Sequence, residues 1–226
     1  MKKTVSKEIT FILAMIIDAF AVDLLTQANL GISTLTSLSY VLSKIIPNTT
    51  LGTVNTIVQT SLLILLIIIT KKPSPYYLLS FVVGAIFGIA LDLFDPLISS
   101  FPNTSIITSF IYFIIGWILM SFAVALFVLS EMPNMPFDAF TKDLSKAKNI
   151  EFKTVKTSLD LIFVVLSLIF SLIFLKKIVG IGIGTLIMAL FTGTIEGKML
   201  TAIRNKFEFK TFTKVGALFE SIKAVK

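Results

Sequence analysis

Acidic side chains lie inside the most apolar stretches of this sequence, where a charged group is expected to have a function. Asp23 lies in the first such stretch with no basic neighbour in the sequence, and Asp160 and Glu196 lie in later ones. A charged side chain at the centre of a bilayer costs several kcal/mol, so it usually faces a cavity or a partner. Asp18 precedes Asp23 by five residues, about 140° around a helix. The two should not share a face, and Asp23 is the stronger candidate.

Asp92 and Asp160 also have plain structural interpretations. Asp92 lies near Pro96 at the end of an apolar stretch and could simply lie among lipid headgroups. Asp160 follows Lys156 by four residues, the spacing of an ion pair on a helix surface. In this alternative both carboxylates serve the structure and bind nothing.

The surroundings of Glu196 predict close helix packing. Glu196 lies between Gly193 and Gly197, and small residues at such spacing let two helix backbones meet. Together with other polar positions in or beside the apolar stretches, it forms a predicted site for a small solute or ion. The predicted binding residues are Asp23, Gln59, Asp138, Asp160, Glu196, Asp92, Ser33, Thr34 and Thr36.

The composition is that of a membrane protein. The 226 residues are 55% hydrophobic and 15% charged, and the mean hydropathy is +0.95, far above that of soluble domains. The absence of histidine and cysteine removes the commonest general base and all thiolate chemistry. The glycine-rich segment 180–185 lacks the Gly-Lys-Ser/Thr ending of a phosphate-binding loop. We therefore expect no enzyme activity, cofactor or metal, and no nucleic-acid partner.

Six apolar segments are long enough to cross a bilayer as helices. They cover residues 9–25, 54–69, 76–94, 106–129, 159–175 and 183–203. The first could instead be a signal peptide, because Ala19-Phe20-Ala21 resembles a cleavage site. Asp18 within the segment favours a retained helix.

The basic residues predict the orientation. Cytoplasmic segments collect Lys and Arg. If the amino terminus is cytoplasmic, all Lys and Arg except Lys44, Lys176 and Lys177 fall on the cytoplasmic side. This distribution predicts a multi-pass protein of the bacterial cytoplasmic membrane with both termini inside, where its basic surplus faces anionic lipid.

Two short segments match each other and predict an internal repeat. Residues 30–44, LGISTLTSLSYVLSK, and residues 132–146, MPNMPFDAFTKDLSK, each follow a turn-forming start with apolar residues at helical spacing. They predict short amphipathic or re-entrant helices at 33–45 and 135–146. Either helix could alternatively lie flat at the membrane surface. The match continues into the flanking segments at an offset near 102 residues.

The fold predicted from these segments is an all-α integral membrane protein of six transmembrane helices. The helices would form two inverted three-helix repeats, residues 1–100 and 101–200, followed by a basic cytoplasmic tail, residues 201–226. An odd number of spans in each repeat makes the two orientations opposite, and such proteins bind solutes near the bilayer midplane.

The two short helices would differ in the charge they favour. Ser33 and Thr34 begin the first one, and hydroxyl groups at a helix amino terminus can hold a carboxylate or phosphate. Asp138 in the second would favour a cation or an ammonium group. Thr36 takes the position of Asp138 in the first copy, so the two roles cannot be symmetrical. A site that used both helices would suit a zwitterion.

The turns GISTLT and PNMPFD, a Thr-Val helix start in each half and a Gly-x-Gly-Thr entry at 182–185 resemble those of the YczE/YitT-type bacterial multi-pass membrane proteins. The resemblance covers residues 8–200. YitT-like members usually carry a soluble carboxy-terminal domain, and the absence of one here resembles the short YczE-like branch. The resemblance implies an architecture and no established activity.

We expect a transporter or permease for a small zwitterionic or cationic solute, working by alternating access between the inverted repeats. The alternative is a non-transporting scaffold or a regulatory, accessory membrane protein, in which the acidic groups only hold helices together. The expected partners are the lipid bilayer and the solute, and the chain could also form a homodimer.

Overall fold

The computed structural model describes residues 2–214, 216, 217 and 219. Helices form almost all of this part of the chain, and two short strands lie near its ends. In chain order the elements are β1 (Lys3–Ser6), α1 (Lys7–Ala28), α2 (Thr34–Ile45), α3 (Leu51–Thr70), α4 (Pro75–Ser99), α5 (Ile106–Ser130), α6 (Pro136–Lys148), α7 (Phe152–Phe170), α8 (Ile183–Lys206) and β2 (Phe207–Lys210). Five residues of π-helix, Ser171–Leu175, continue α7.

The six predicted spans are confirmed as helices. Within the described residues, α1, α3, α4, α5, α7 with its π-helical end, and α8 are long and apolar enough to cross a membrane. The chain is therefore a multi-pass membrane protein. The fifth helix starts at Phe152 instead of residue 159, because Val155 and Leu159 are both buried and continue one helical stripe through a polar turn. Hydropathy marks the apolar part of a helix, and packing decides where the helix begins.

Helices α2 and α6 are too short to cross a bilayer. They have 12 and 13 residues, or about 18–20 Å at 1.5 Å per residue, against a hydrocarbon core of about 30 Å. Pro136 begins α6, where a missing N–H leaves no hydrogen bond unmade. Each helix buries one apolar stripe, which includes Leu38 and Val41 in α2 and Phe137 and Phe140 in α6.

The helices pack in a regular set of pairs. α1 lies against α5, and each of them has one further long partner, α4 for α1 and α8 for α5. α2 packs on α7, and α6 packs on α3. Leu38, Leu66, Phe140 and Phe163 belong to one buried cluster, which joins the two short helices to α3 and α7.

The two strands depart from the all-α prediction. β1 and β2 pair in parallel, with Lys3 opposite Phe207 and Ser6 opposite Lys210. Segment 207–210 belongs to the predicted basic tail, for which no strand was expected, but its alternation of Phe with charged residues has the two-residue period of a strand. The pairing places the amino-terminal segment beside the end of α8, on one side of the molecule.

The carboxy-terminal half of α8 separates from the other helices. Its first half is held by Trp117 Nε1, which donates to Thr192 Oγ1 at 2.9 Å, and by buried Met188. A Cβ added to Gly193 or Gly197 would meet nothing within 4 Å. The close helix approach predicted at these two glycines was therefore wrong for this conformation.

Candidate functional site

Four acidic side chains on four different helices lie within electrostatic range of one another or of a shared lysine, and we call them the acidic cluster. Its members are Asp18 of α1, Asp138 of α6, Asp160 of α7 and Glu196 of α8. Asp18 lies within electrostatic reach of both Glu196 and Asp138. Lys156 acts on Asp138, Asp160 and Glu196, and Lys142 also acts on Asp138. The acidic cluster therefore contains four acidic side chains and has two lysines acting on it.

Asp18 is the most buried member of the acidic cluster. It is 8% exposed, and its Oδ1 atom has no hydrogen-bond partner among the described residues. A buried carboxylate oxygen without a donor is unfavourable unless a proton or a ligand satisfies it. The acidic cluster thus contains an unsatisfied acceptor.

Asp138 keeps the acidic cluster accessible. Its side chain is exposed at the first turn of α6. The surrounding protein still removes part of its hydration, which raises the pKa of the carboxyl, while the positive charges of Lys156 and Lys142 act in the opposite direction. Asp138 therefore lies at the surface, within electrostatic range of the buried Asp18.

Gln59 lies beside the same turn of α6. Its Oε1 atom is buried without a hydrogen-bond partner in the described structure. It lies near Gly84, whose missing side chain also makes room for the ring of Pro136. Gln59 therefore adds a second unsatisfied acceptor, from α3, near the acidic cluster.

The start of α2 is tied to the acidic cluster through Asp160. Thr34 Oγ1 donates to Asp160 Oδ1 at 2.7 Å. Ser33 and Thr36 instead share a hydrogen bond of 2.7 Å with each other. Of the three hydroxyl residues predicted to bind a solute, Thr34 faces the acidic cluster, while Ser33 and Thr36 complete the local turn.

Asp23 lies apart from the acidic cluster. It is 1% exposed, and the negative charges that act on it come from Asp95 and Asp92 of α4. Tyr40 of α2 lies within reach of Asp95, whose charge adds to burial in raising the pKa of the phenol. The structure therefore divides the predicted binding residues into two regions, as the angular separation of Asp18 and Asp23 indicated.

Asp92 caps α3. Its Oδ1 accepts from the Gly52 N–H at 2.8 Å, and its Oδ2 accepts from Thr50 Oγ1 at 2.7 Å. A carboxylate at a helix amino terminus satisfies free N–H groups and opposes the positive end of the helix dipole. The helices also touch through glycine, because a Cβ at Gly52 would overlap the Gly88 carbonyl oxygen. We call this contact the α3–α4 seal.

Among the described residues, no group of three or more acidic side chains lies close enough together to hold a metal ion.

Comparison with known proteins identifies the family. Residues 5–201 match the model of DUF6198, a family of unknown function. The chain belongs to the DUF6198 family. A relative from Bacillus subtilis (strain 168), called uncharacterized protein YyaS, is 28% identical over 199 residues, 86% of this chain and 92% of the relative. No solved structure matches this DUF6198 protein. The finer resemblance to YczE/YitT-type proteins stays a prediction.

Sequence reasoning missed two members of this region in the DUF6198 protein. Asp18 was set aside in favour of Asp23, and Lys156 was considered only as a structural partner of Asp160. The charge of Asp18 inside an apolar run was a usable signal, since buried charges are expected to serve a function. For Lys156, nothing along the chain showed that it also acts on α6 and α8.

Proposed function

We propose that this DUF6198 protein is a transporter for a small cationic or zwitterionic solute, which binds at the acidic cluster and crosses the membrane by alternating access. The observation that carries the proposal is the buried Asp18 oxygen without a hydrogen-bond partner among the described residues, in electrostatic range of Asp138 and Glu196 from the other half of the chain. A carboxylate that only held two helices together would be expected to have a partner.

The charges of the acidic cluster define the solute class. An ammonium group would replace the missing partner of Asp18 and be attracted by the other carboxylates. Lys156, which acts on Asp138, Asp160 and Glu196, could pair with the carboxylate of a zwitterion. A small anion without a positive group would meet net repulsion.

The helix pairs support the predicted inverted repeat. If the two halves are exchanged, α2 on α7 becomes α6 on α3, and α1 on α4 becomes α5 on α8. The α1–α5 pair exchanges with itself. A two-fold pseudosymmetry axis between α1 and α5 would produce this pattern. Transporters built from inverted repeats place their solute at such an interface.

Two helix pairs break the pattern, because α3–α4 and α4–α6 have no counterparts in α7–α8 and α8–α2 among the described residues, and we infer from the first of these breaks that the protein works by alternating access. α3 and α4 are held together by the α3–α4 seal, whereas α7 and α8 do not pack in a comparable way among the described residues. The corresponding residues are present, because Thr157 and Glu196 align with Thr56 and Asp92. The α3–α4 seal lies at the start of α3 and toward the end of α4, and the corresponding residues lie at the start of α7 and in the later half of α8. In an inverted repeat, these two regions lie on opposite sides of the membrane. The structure then corresponds to a transporter closed on one side and open on the other.

The proposed orientation follows from the basic residues and from the paired strands. β1 and β2 bring the amino-terminal segment and the end of α8 to one side, which agrees with an even number of spans. Because cytoplasmic segments collect Lys and Arg, we assign this side to the cytoplasm and the protein to the bacterial cytoplasmic membrane. All members of the acidic cluster belong to one chain, so the proposal does not require a homodimer.

The proposal is tested by solute-dependent thermal stability of the purified protein. A panel of amines, amino acids and organic anions would be added to the wild type, to Asp138→Asn and to the matched control Asp95→Asn. Asp95 is an exposed acid outside the acidic cluster. We expect a cationic or zwitterionic compound to raise Tm for the wild type and the control, and uptake of that compound into proteoliposomes.

Two outcomes would contradict the proposal. The first is a Tm shift that Asp138→Asn leaves unchanged, since the solute would then bind elsewhere. The second is no response of the wild type across the panel, together with a lower Tm for Asp18→Asn and Asp138→Asn. That result would favour the scaffold or accessory protein, in which the acidic groups only stabilise the fold.

A further inference from the structure

Asp23 is the most deeply buried acidic side chain in the described part of the chain. It is 1% exposed, and neither of its carboxylate oxygens has a hydrogen-bond partner among the described residues. The nearby Thr26 hydroxyl donates to the Asp23 backbone oxygen and not to its carboxylate. The carboxylate therefore has no donor to offset the loss of water.

The elements packed around Asp23 bring no positive charge to it. From α4, the charged groups that act on Asp23 are Asp95 and Asp92, and both are negative. α5 contains no Lys, Arg, Asp or Glu between residues 106 and 130. On α2, Lys44 lies over the ring of Tyr40, 5.1 Å from its centroid. An ionised Asp23 would be both dehydrated and repelled.

Asp23 lies next to the α3–α4 seal. Its neighbour Val22 belongs to the same buried cluster as Leu51 and Leu91, which flank Gly52 and Asp92. Asp92 is occupied by its bonds to Thr50 and Gly52, and those bonds depend on α4 staying against α3. Since α4 packs on both α1 and α3, a movement of α4 away from α3 could also change the packing around Asp23.

We propose that Asp23 is a proton-binding site, distinct from the acidic cluster, whose carboxyl is protonated while the α3–α4 seal is closed and releases its proton to water when the seal opens. No bond other than the O–H bond of the carboxyl changes. Proton binding by Asp23 does not depend on the presence of a solute. Its coupling to solute movement rests on the proposed function and makes the protein a proton-coupled transporter.

Infrared difference spectroscopy tests the protonation state directly. The full-length protein in lipid at neutral pH would be compared with Asp23→Asn, with Glu151→Gln, an exposed acid that does not act on Asp23, as the control. We expect the wild-type minus Asp23→Asn spectrum to show the C=O stretch of a protonated carboxyl, and the control difference to show only an ionised carboxylate. Labelling aspartate carboxyls with carbon-13 would shift the expected band and assign it to Asp.

A second variant keeps the test decisive if Asp23→Asn does not fold. In Asp23→Glu, which keeps a carboxyl at this position, the protonated-carboxyl band of labelled aspartate should be lost and an unlabelled one should appear. The proposal would be overturned if, in either comparison, Asp23 contributed only the bands of an ionised carboxylate at neutral pH. Solute binding with loss of pH-gradient dependence in Asp23→Asn would support the coupling. A protonated Asp23 without any transported solute would contradict the proposed function and leave the proton site standing.

Discussion

Gly52 and Gly88 set how closely α3 and α4 approach. A Cβ at Gly52 would overlap the Gly88 carbonyl oxygen, and a Cβ at Gly88 would overlap the Thr56 hydroxyl. Neither obstacle is the far end of a flexible side chain, so the helices would have to separate. Inserting a methyl group into a closely packed contact costs about 1–3 kcal/mol. The hydrogen bonds of Asp92 to the start of α3 would be weakened at the same time.

We predict that Gly52→Ala lowers Tm clearly, whereas Gly193→Ala leaves it unchanged or slightly higher. A Cβ at Gly193 meets nothing within 4 Å, and Ala favours a helix over Gly by about 1 kcal/mol. Thermal unfolding in detergent measures the Tm of both variants. Under the proposed function, Gly193→Ala should still slow solute uptake, because α8 needs a small residue to pack on α7 in the other conformation. Equal loss of stability in both variants would show that α8 is already packed.

Helices α7 and α8 carry exposed polar residues on surfaces that would otherwise face lipid. Thr154, Thr157 and Ser158 are exposed on α7, and Thr194 and Thr201 are exposed on α8. Polar side chains in a membrane find partners in other helices because hydrocarbon offers none. Their exposure agrees with two helices that separate and meet again.

We predict that Thr157→Cys combined with Gly193→Cys forms a disulfide when the solute is present, and more slowly without it. Thr157 corresponds to Thr56, and Gly193 is next to the position that corresponds to Gly88. Thr56 and Gly88 touch across the α3–α4 seal. A disulfide needs Cα atoms within about 7 Å, so its formation would report closure. The chain contains no cysteine, which leaves the pair without competitors. Gel mobility with and without reductant measures the yield.

The matched positive control is Ser37→Cys with Ser167→Cys. Their hydroxyl oxygens lie 3.0 Å apart between α2 and α7, so oxidation should link them whether or not the solute is present. If the control pair is linked and the α7–α8 pair is not under any condition, closure of these two helices does not occur.

The arrangement of the whole chain depends on α2 and α6 returning to the side from which they start. Asn48 lies exposed in the loop after α2, and Ala147 lies exposed near the end of α6. If neither short helix crosses the bilayer, one span before Asn48 and four before Ala147 place these residues on opposite sides.

We predict that Asn48→Cys and Ala147→Cys react with a membrane-impermeant thiol reagent from opposite sides of sealed vesicles. Thr4→Cys should react from the same side as Ala147→Cys, because β1 lies on the amino-terminal side of α1. The proposed orientation makes that side cytoplasmic. Labelling of Asn48→Cys and Ala147→Cys from one side would exclude two inverted halves.

Several features followed from the sequence because they depend on local composition. The six spans are apolar runs long enough for a bilayer, and nothing outside each run is needed to recognise them. The turn and apolar spacing at residues 33–45 and 135–146 predicted helices where α2 and α6 lie. The separation of Asp18 from Asp23 followed from helix geometry alone.

The tertiary structure decided which polar groups meet. Asp18, Asp138 and Glu196 are far apart in the sequence, and their convergence depends on how α1, α6 and α8 pack. Asp92 could have lain among headgroups, and only the position of α3 shows that it caps a helix. Side-chain partners across a bundle depend on helix rotation and contact, which one-dimensional spacing does not contain.

The strand pair and the separation of α8 also show the difference between what the local sequence allows and what tertiary contacts decide. The alternation in FEFK allows a strand, but a strand needs a partner, and the fold supplies Lys3–Ser6. The small residues around Glu196 allow close packing, but in this structure no neighbour occupies the space. By itself, the sequence determined the number of spans and the polar residues they carry. The tertiary structure decided which of those residues share a site, because only packing brings distant segments together.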